Sequence, residues 1–163
     1  MGPGLRRGGE REGFREEEWR VRTLAAFLYF GSIGVWLGSL LFFSFTAAPA
    51  IFRVLGTEGG GRVVGAIFPT YYLHSALTAV IALAVLFVAP RWPAVGQSPA
   101  SSPGTAAVAL AAALLVVLVA WWVVEPRVHA AAGTPAFGAL HGLSMGLNLL
   151  VLVALVVALW FSV

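Results

Sequence analysis

Thr23–Phe52 reads TLAAFLYFGSIGVWLGSLLFFSFTAAPAIF, thirty residues without a formal charge. About 20 apolar residues in a helix suffice to cross the hydrocarbon core of a bilayer. In lipid a lone segment must satisfy its own backbone N–H and C=O groups, so this stretch is expected to be helical. Gly31, Gly34 and Gly38 fall on one stripe of that helix. Gly34-x-x-x-Gly38 has the small-residue spacing that lets a second helix approach closely. The first stretch is therefore read as a packed membrane helix, and three further apolar stretches follow it.

Composition agrees. The chain has 163 residues, of which 60% are hydrophobic and 10% charged. Ordinary soluble domains carry roughly 25% charged residues. A mean hydropathy of +0.90 points to an integral membrane protein with the lipid bilayer as its first partner. The absence of cysteine excludes disulfides, thiol catalysis and cysteine-ligated metals. The sequence pI near 10.2 comes from a local cluster: six of the ten arginines lie in the first 22 residues, interleaved with five glutamates. That is juxtamembrane charge, suited to setting orientation or touching anionic lipid, and no nucleic-acid partner is expected.

Outward from the first stretch, the expected fold is all-α, a four-span transmembrane helical bundle. Residues 1–22 form a charged cytoplasmic lead-in, unstructured through Gly9 and helical beyond it. There Glu16/Arg20 and Glu18/Arg22 stand at i, i+4 in the favourable order. Residues 23–163 form the membrane domain, with spans of about 23–52, 62–89, 105–124 and 137–163. Arg53–Gly61 (RVLGTEGGG) reads as a turn. Pro69 is expected to kink the second span or mark its start. Residues 90–104 (PRWPAVGQSPASSPG) read as a Pro/Ser/Gly linker, and Glu125–Pro135 as a short polar loop. Ala48-Pro49-Ala50 resembles a signal-peptide cleavage site, but the apolar run before it is longer than the h-region such a signal requires.

Arginine sets the expected orientation. Four spans put the N-terminus, the 90–104 linker and the C-terminus on one side, with six arginines plus Arg91. The opposite side has Arg53, Arg62 and Arg127, so both termini are expected to be cytoplasmic. Trp19, Trp92 and Trp160 would mark the inner interface and Trp121 and Trp122 the outer one, leaving Trp36 in mid-membrane.

Polar groups at membrane depth are costly and mark candidate function. His141, Ser144 and Asn148 share one stripe of the fourth span, and Gly138, Gly142 and Gly146 form a second. Tyr71, His74 and Thr78 share a face of the second span. At a rise of about 1.5 Å per residue, His74 lies about 18 Å from the outer end, Asn148 about 16 Å and Ser39 about 20 Å. Ser39, His74 and Asn148 are thus expected in one polar layer, with a neutral His74 facing Asn148 directly or through water. The bland alternative is plain helix–helix hydrogen bonding. His141 lies about 12 Å above His74 on the same count, which argues against a bis-histidine haem. Glu125, His129 and His141 form a candidate metal group near the outer interface, with Glu125 and His129 at i, i+4. Ordinary interfacial residues are the alternative there. No nucleophile–base pair, phosphate loop or carboxylate pair is present, so neither enzymatic activity nor a cofactor is expected.

Three segments carry a family likeness: Trp36–Phe52 (WLGSLLFFSFTAAPAIF), Gly65–Tyr72 (GAIFPTYY) and Phe137–Asn148 (FGALHGLSMGLN). They resemble the transmembrane protein 205-like family, a four-helix membrane domain of unknown function. The resemblance covers roughly residues 23–163 and implies fold and membrane residence, without an agreed activity. The leading expectation is a small non-enzymatic membrane bundle that acts through self-association or membrane partners. The competing one is a metal or small-solute transport component, using the His/Asn layer or the outer metal group.

Overall fold

A computed structural model describes residues 4–88 and 102–162, with side chains from residue 15 onward. The chain folds as α1 (Gly4–Phe42), a π-helical turn (Phe43–Ala47), α2 (Ala48–Val88), α3 (Pro103–Val119), a second π-helical turn (Ala120–Val124), α4 (Glu125–Ala130) and α5 (Phe137–Trp160). Among the described residues there is no strand. The helix of the lead-in starts at Gly4, earlier than expected, and Glu18 pairs with Arg22 at 2.6 Å. Most of the expected 90–104 linker, with Arg91 and Trp92, lies outside the described residues; Ser102 caps α3 by accepting from the Thr105 amide at 3.3 Å.

Three helical stretches are long and apolar enough to cross a membrane: Arg15–Val88, Pro103–Ala130 and Phe137–Trp160. The expected first and second spans thus run together into one stretch of 74 residues. The reason lies in the expected 53–61 turn. Helical hydrogen bonding continues on both sides of it, and only Gly56 leaves helical space, at φ 68° and ψ −176°. A straight helix of that length would measure about 111 Å. This one doubles back: Ser39 and His74, 35 residues apart, meet at 3.1 Å, where a straight rod would separate them by about 52 Å. Glycine permits the positive φ that the reversal requires. At Gly60 the Phe52 ring fills the space a side chain would need; a Cβ there would fall 2.5 Å from Phe52 Cδ1. Pro69 sits on an exposed face and α2 runs through it.

α1 packs on α2, α2 on α3, and α3 most extensively on α5, while α1 touches α5 lightly. Tyr29, Ile33, Trp36 and Leu40 recur at helical spacing on α1 and are fully buried. They meet Ala79 and Ala82 of α2, Leu110 and Ala113 of α3, and Val151, Leu155 and Ala158 of α5 in one core. At the end of the bundle carrying the termini, Tyr29 and Ser162 are joined by a buried 2.6 Å hydrogen bond. Ser162 donates its own proton to the Ala158 carbonyl, so the tyrosine is the donor. The Ser102 amide donates to the Phe161 carbonyl at 2.9 Å, tying α3 to the end of α5.

The glycine stripes need correction. Gly31, Gly34 and Gly38 of α1, and Gly138, Gly142 and Gly146 of α5, have no neighbouring atom within 4 Å of where a Cβ would stand. They do not lie at tight helix contacts within the chain. Close approach is provided instead by alanines 79, 82, 106, 113 and 158, all inaccessible to solvent. Ala79, Ala82, Ala113 and Ala158 share one buried core with the bulky Trp36 and Tyr29 rings, and a methyl group there adds contact area while taking little room.

Candidate functional site: a crevice at the turn end of the bundle

Both π-helical turns end two residues before a proline: Ala47 precedes Pro49 and Val124 precedes Pro126. Proline has no N–H, and its ring crowds the carbonyl four residues back. The backbone adapts by widening: the Ala48 amide bonds to the Phe43 carbonyl and the Glu125 amide to the Ala120 carbonyl, each five residues back. Such one-turn widenings frequently accompany functional sites, because they re-aim the side chains that follow. Helix then continues through Glu125–Ala130, where the sequence suggested a loop. Glu125 and His129 consequently share a face.

A cavity of about 800 Å³ has walls that include Phe52, Glu58, Arg62, Gly65, Glu125, His129 and His141. A second cavity, of about 490 Å³, lies between α5 and the α1–α2 arm, walled by Leu40, Phe43, Ser144, Asn148 and Leu152 among others. Phe52, Val64, Phe68 and His141 line both, so they form one crevice that runs down the α1/α5 seam. An aromatic ladder forms its back: Phe43 stacks on Tyr71 at 5.4 Å, Phe68 leans on Tyr72 at 5.5 Å, and Tyr72 stacks on Trp121 at 6.1 Å.

Glu125 is the unusual member. Its side chain is 9% exposed, and neither carboxylate oxygen has a hydrogen-bond partner. The nearest side-chain nitrogen is His129 Nδ1, 3.1 Å from Oε1. The same Nδ1 lies 3.1 Å from the Glu125 backbone carbonyl, which can only accept, so Nδ1 carries the proton. The rest of the imidazole is half exposed and its Nε2 edge rests on Gly65, where a Cβ would fall 2.6 Å away. Tyr72 neighbours both Glu125 and Ser144. A buried carboxylate without a full set of donors is costly and calls for a partner of opposite charge or a proton.

The metal group is therefore corrected. Glu125 and His129 come together, but His141 does not join them. Its ring stacks on Phe137 one turn earlier, at 5.6 Å and nearly parallel, on the far wall of the cavity. Among the described residues no three His, Cys, Asp or Glu side chains are placed to hold a metal ion.

Of the three residues expected in one polar layer, Ser39 and His74 meet, while Asn148 has a different partner. Ser39 donates to the Val35 carbonyl at 2.7 Å and so accepts from His74 Nε2 at 3.1 Å, which makes Nε2 the protonated nitrogen. Asn148 pairs with Tyr71, not His74: the phenol donates to Oδ1 at 3.3 Å. Tyr71 and His74 stand three residues apart on α2, so the layer is two neighbouring pairs, Ser39–His74 and Tyr71–Asn148. Ser75 and Thr78 are satisfied within their own helix.

Sequence reading missed Gly65, Tyr72 and the crevice. The spacing of each π turn to its proline was the available signal for the re-aimed Glu125. Nothing in the pattern signalled that α5 would lean on α3 and leave the α1 seam open.

Residues 31–135 match the family described as "Domain of unknown function (DUF4149)", and the chain belongs to that family. It is also 31% identical over 140 residues to an "Uncharacterized protein" of Aquifex aeolicus (strain VF5), covering 84% of this chain and 89% of that protein. No solved structure matches. These similarities carry the coarser part of the family likeness, a domain of unknown function, and do not extend to the transmembrane protein 205-like family.

Proposed function

We propose that this is a four-span integral membrane protein that acts without catalysis, by binding an amphiphilic molecule in the crevice along the α1/α5 seam. The observation that carries the reading is the crevice itself: a mostly apolar slot, with a few polar groups converging at its turn end. Ligand sites commonly have that composition and occupy about 300–1,000 Å³. The reversal at Gly56 supports counting the 74-residue stretch as two crossings, and so four spans in all. Both termini are assigned to the cytoplasm on the seven-to-three arginine imbalance between the two sides. Kinship with the transmembrane protein 205-like family belongs to the same proposal.

Native mass spectrometry of protein purified in maltoside detergent tests the binding. The parent should retain added phospholipid. Met145→Trp, at an exposed position on the crevice wall, should reduce retention without lowering the melting temperature. A parent that retains none overturns the reading. Reporter fusions at the C-terminus and in the 53–62 segment test the orientation; a C-terminal fusion active only outside reverses it.

The bare glycine stripes support a second reading, self-association through these faces, since nothing within the chain covers them. Gly142→Leu should then lower the dimer fraction in cross-linking at unchanged melting temperature.

A further inference from the structure

We infer that the crevice selects amphiphiles bearing an ammonium group, with the Glu125 carboxylate as counter-ion and the apolar slot below it as the tail site. The inference rests on the binding reading above and adds the ligand's chemistry.

Three observations carry it. First, Glu125 is more than nine-tenths buried, lines the cavity, and has two oxygens without hydrogen-bond partners. A carboxylate in that state complements a cation that can donate N–H bonds. Second, its cover is displaceable. The His129 ring is half exposed and rests on the bare backbone of Gly65, so it can turn aside and yield the 3.1 Å position at Oε1 to an ammonium. Third, the cavity continues into a mostly apolar slot walled by Phe43, Leu149 and Leu152, with Ser144 and Asn148 among its few polar groups, which suits an alkyl tail. Arg62, at the mouth, stands where it can meet a phosphate on the same headgroup. Glu58 beside it adds a second negative charge at the rim.

The ammonium can come from a membrane lipid such as phosphatidylethanolamine or from a free alkylamine. The experiment is native mass spectrometry of the full chain in maltoside, with phosphatidylethanolamine and phosphatidylglycerol of identical acyl chains at equal concentration. The parent should retain the ethanolamine lipid about tenfold better, the size expected of one charge-assisted contact. Glu125→Gln keeps the shape and should erase the preference while leaving phosphatidylglycerol binding unchanged. Arg62→Gln should weaken both lipids equally. Should Glu125→Gln fail to fold, the parent's headgroup preference alone still decides. Equal retention of the two lipids by the parent overturns the inference and leaves amphiphile binding standing. Retention of neither overturns both. Dodecylamine below its micellar concentration separates the sources: outcompeting the ethanolamine lipid identifies a free amine as the ligand, and failing to do so identifies the lipid.

Discussion

The end of the bundle with the termini and the end with the two turns are built from the same helices, yet one is closed and the other open. At the terminal end, Tyr29, Ile33, Leu110, Leu155 and Ala158 are wholly buried, and the Tyr29–Ser162 bond ties α1 to the end of the chain. At the turn end, α5 exposes most of residues 137–150 and the α1 seam gapes into a crevice. The difference follows from what the facing residues can do. Alanines opposite large rings let the backbones close up. The first π turn sets Phe43, Ser44 and Phe45 on the crevice wall, and His141 stacks on Phe137 of its own helix. One end is therefore closely packed, and the other leaves a crevice open between helices.

The contrast is broken or sharpened by substitution, with thermal unfolding in detergent as the measurement. Trp36→Ala removes a ring that is wholly buried in the closed half and should cost about 3–5 kcal/mol. Phe45→Ala, at 71% exposure beside the crevice, should stay within about 0.5 kcal/mol. Equal losses would erase the distinction between the halves. Gly56→Ala forces a side chain into positive φ and should cost about 1–2 kcal/mol. Gly142→Ala, in open space, serves as its neutral partner. Tyr29→Phe should cost about 1 kcal/mol by deleting the donor to Ser162. The smallest effect belongs to the polar layer: Asn148→Leu should cost about 0.6 kcal/mol through Tyr71. Because Asn148 and His74 bond to different partners, their changes to leucine should add to within about 0.5 kcal/mol. A larger coupling would restore the direct pairing that spacing alone suggested.

The sequence by itself determined the helical character and the apolar stretches, since a charge-free run in lipid has only its own backbone to bond. It also determined the level of residues along paired helices, because the rise per residue is fixed. Ser39 and His74 were placed at one level by counting, and they meet there. The i, i+4 spacing placed Glu125 and His129 together for the same reason. Only the tertiary structure decided which faces meet. In a soluble helix the polar face marks the outside, but in lipid the outward and inward faces are both apolar, and the pattern loses that information. Glycine stripes that read as contact surfaces therefore lie bare, alanines took the contacts, and Asn148 found Tyr71 where depth alone offered His74. The crevice belongs to the same class: it exists because α5 leans on α3, a choice of neighbour that no single helix encodes.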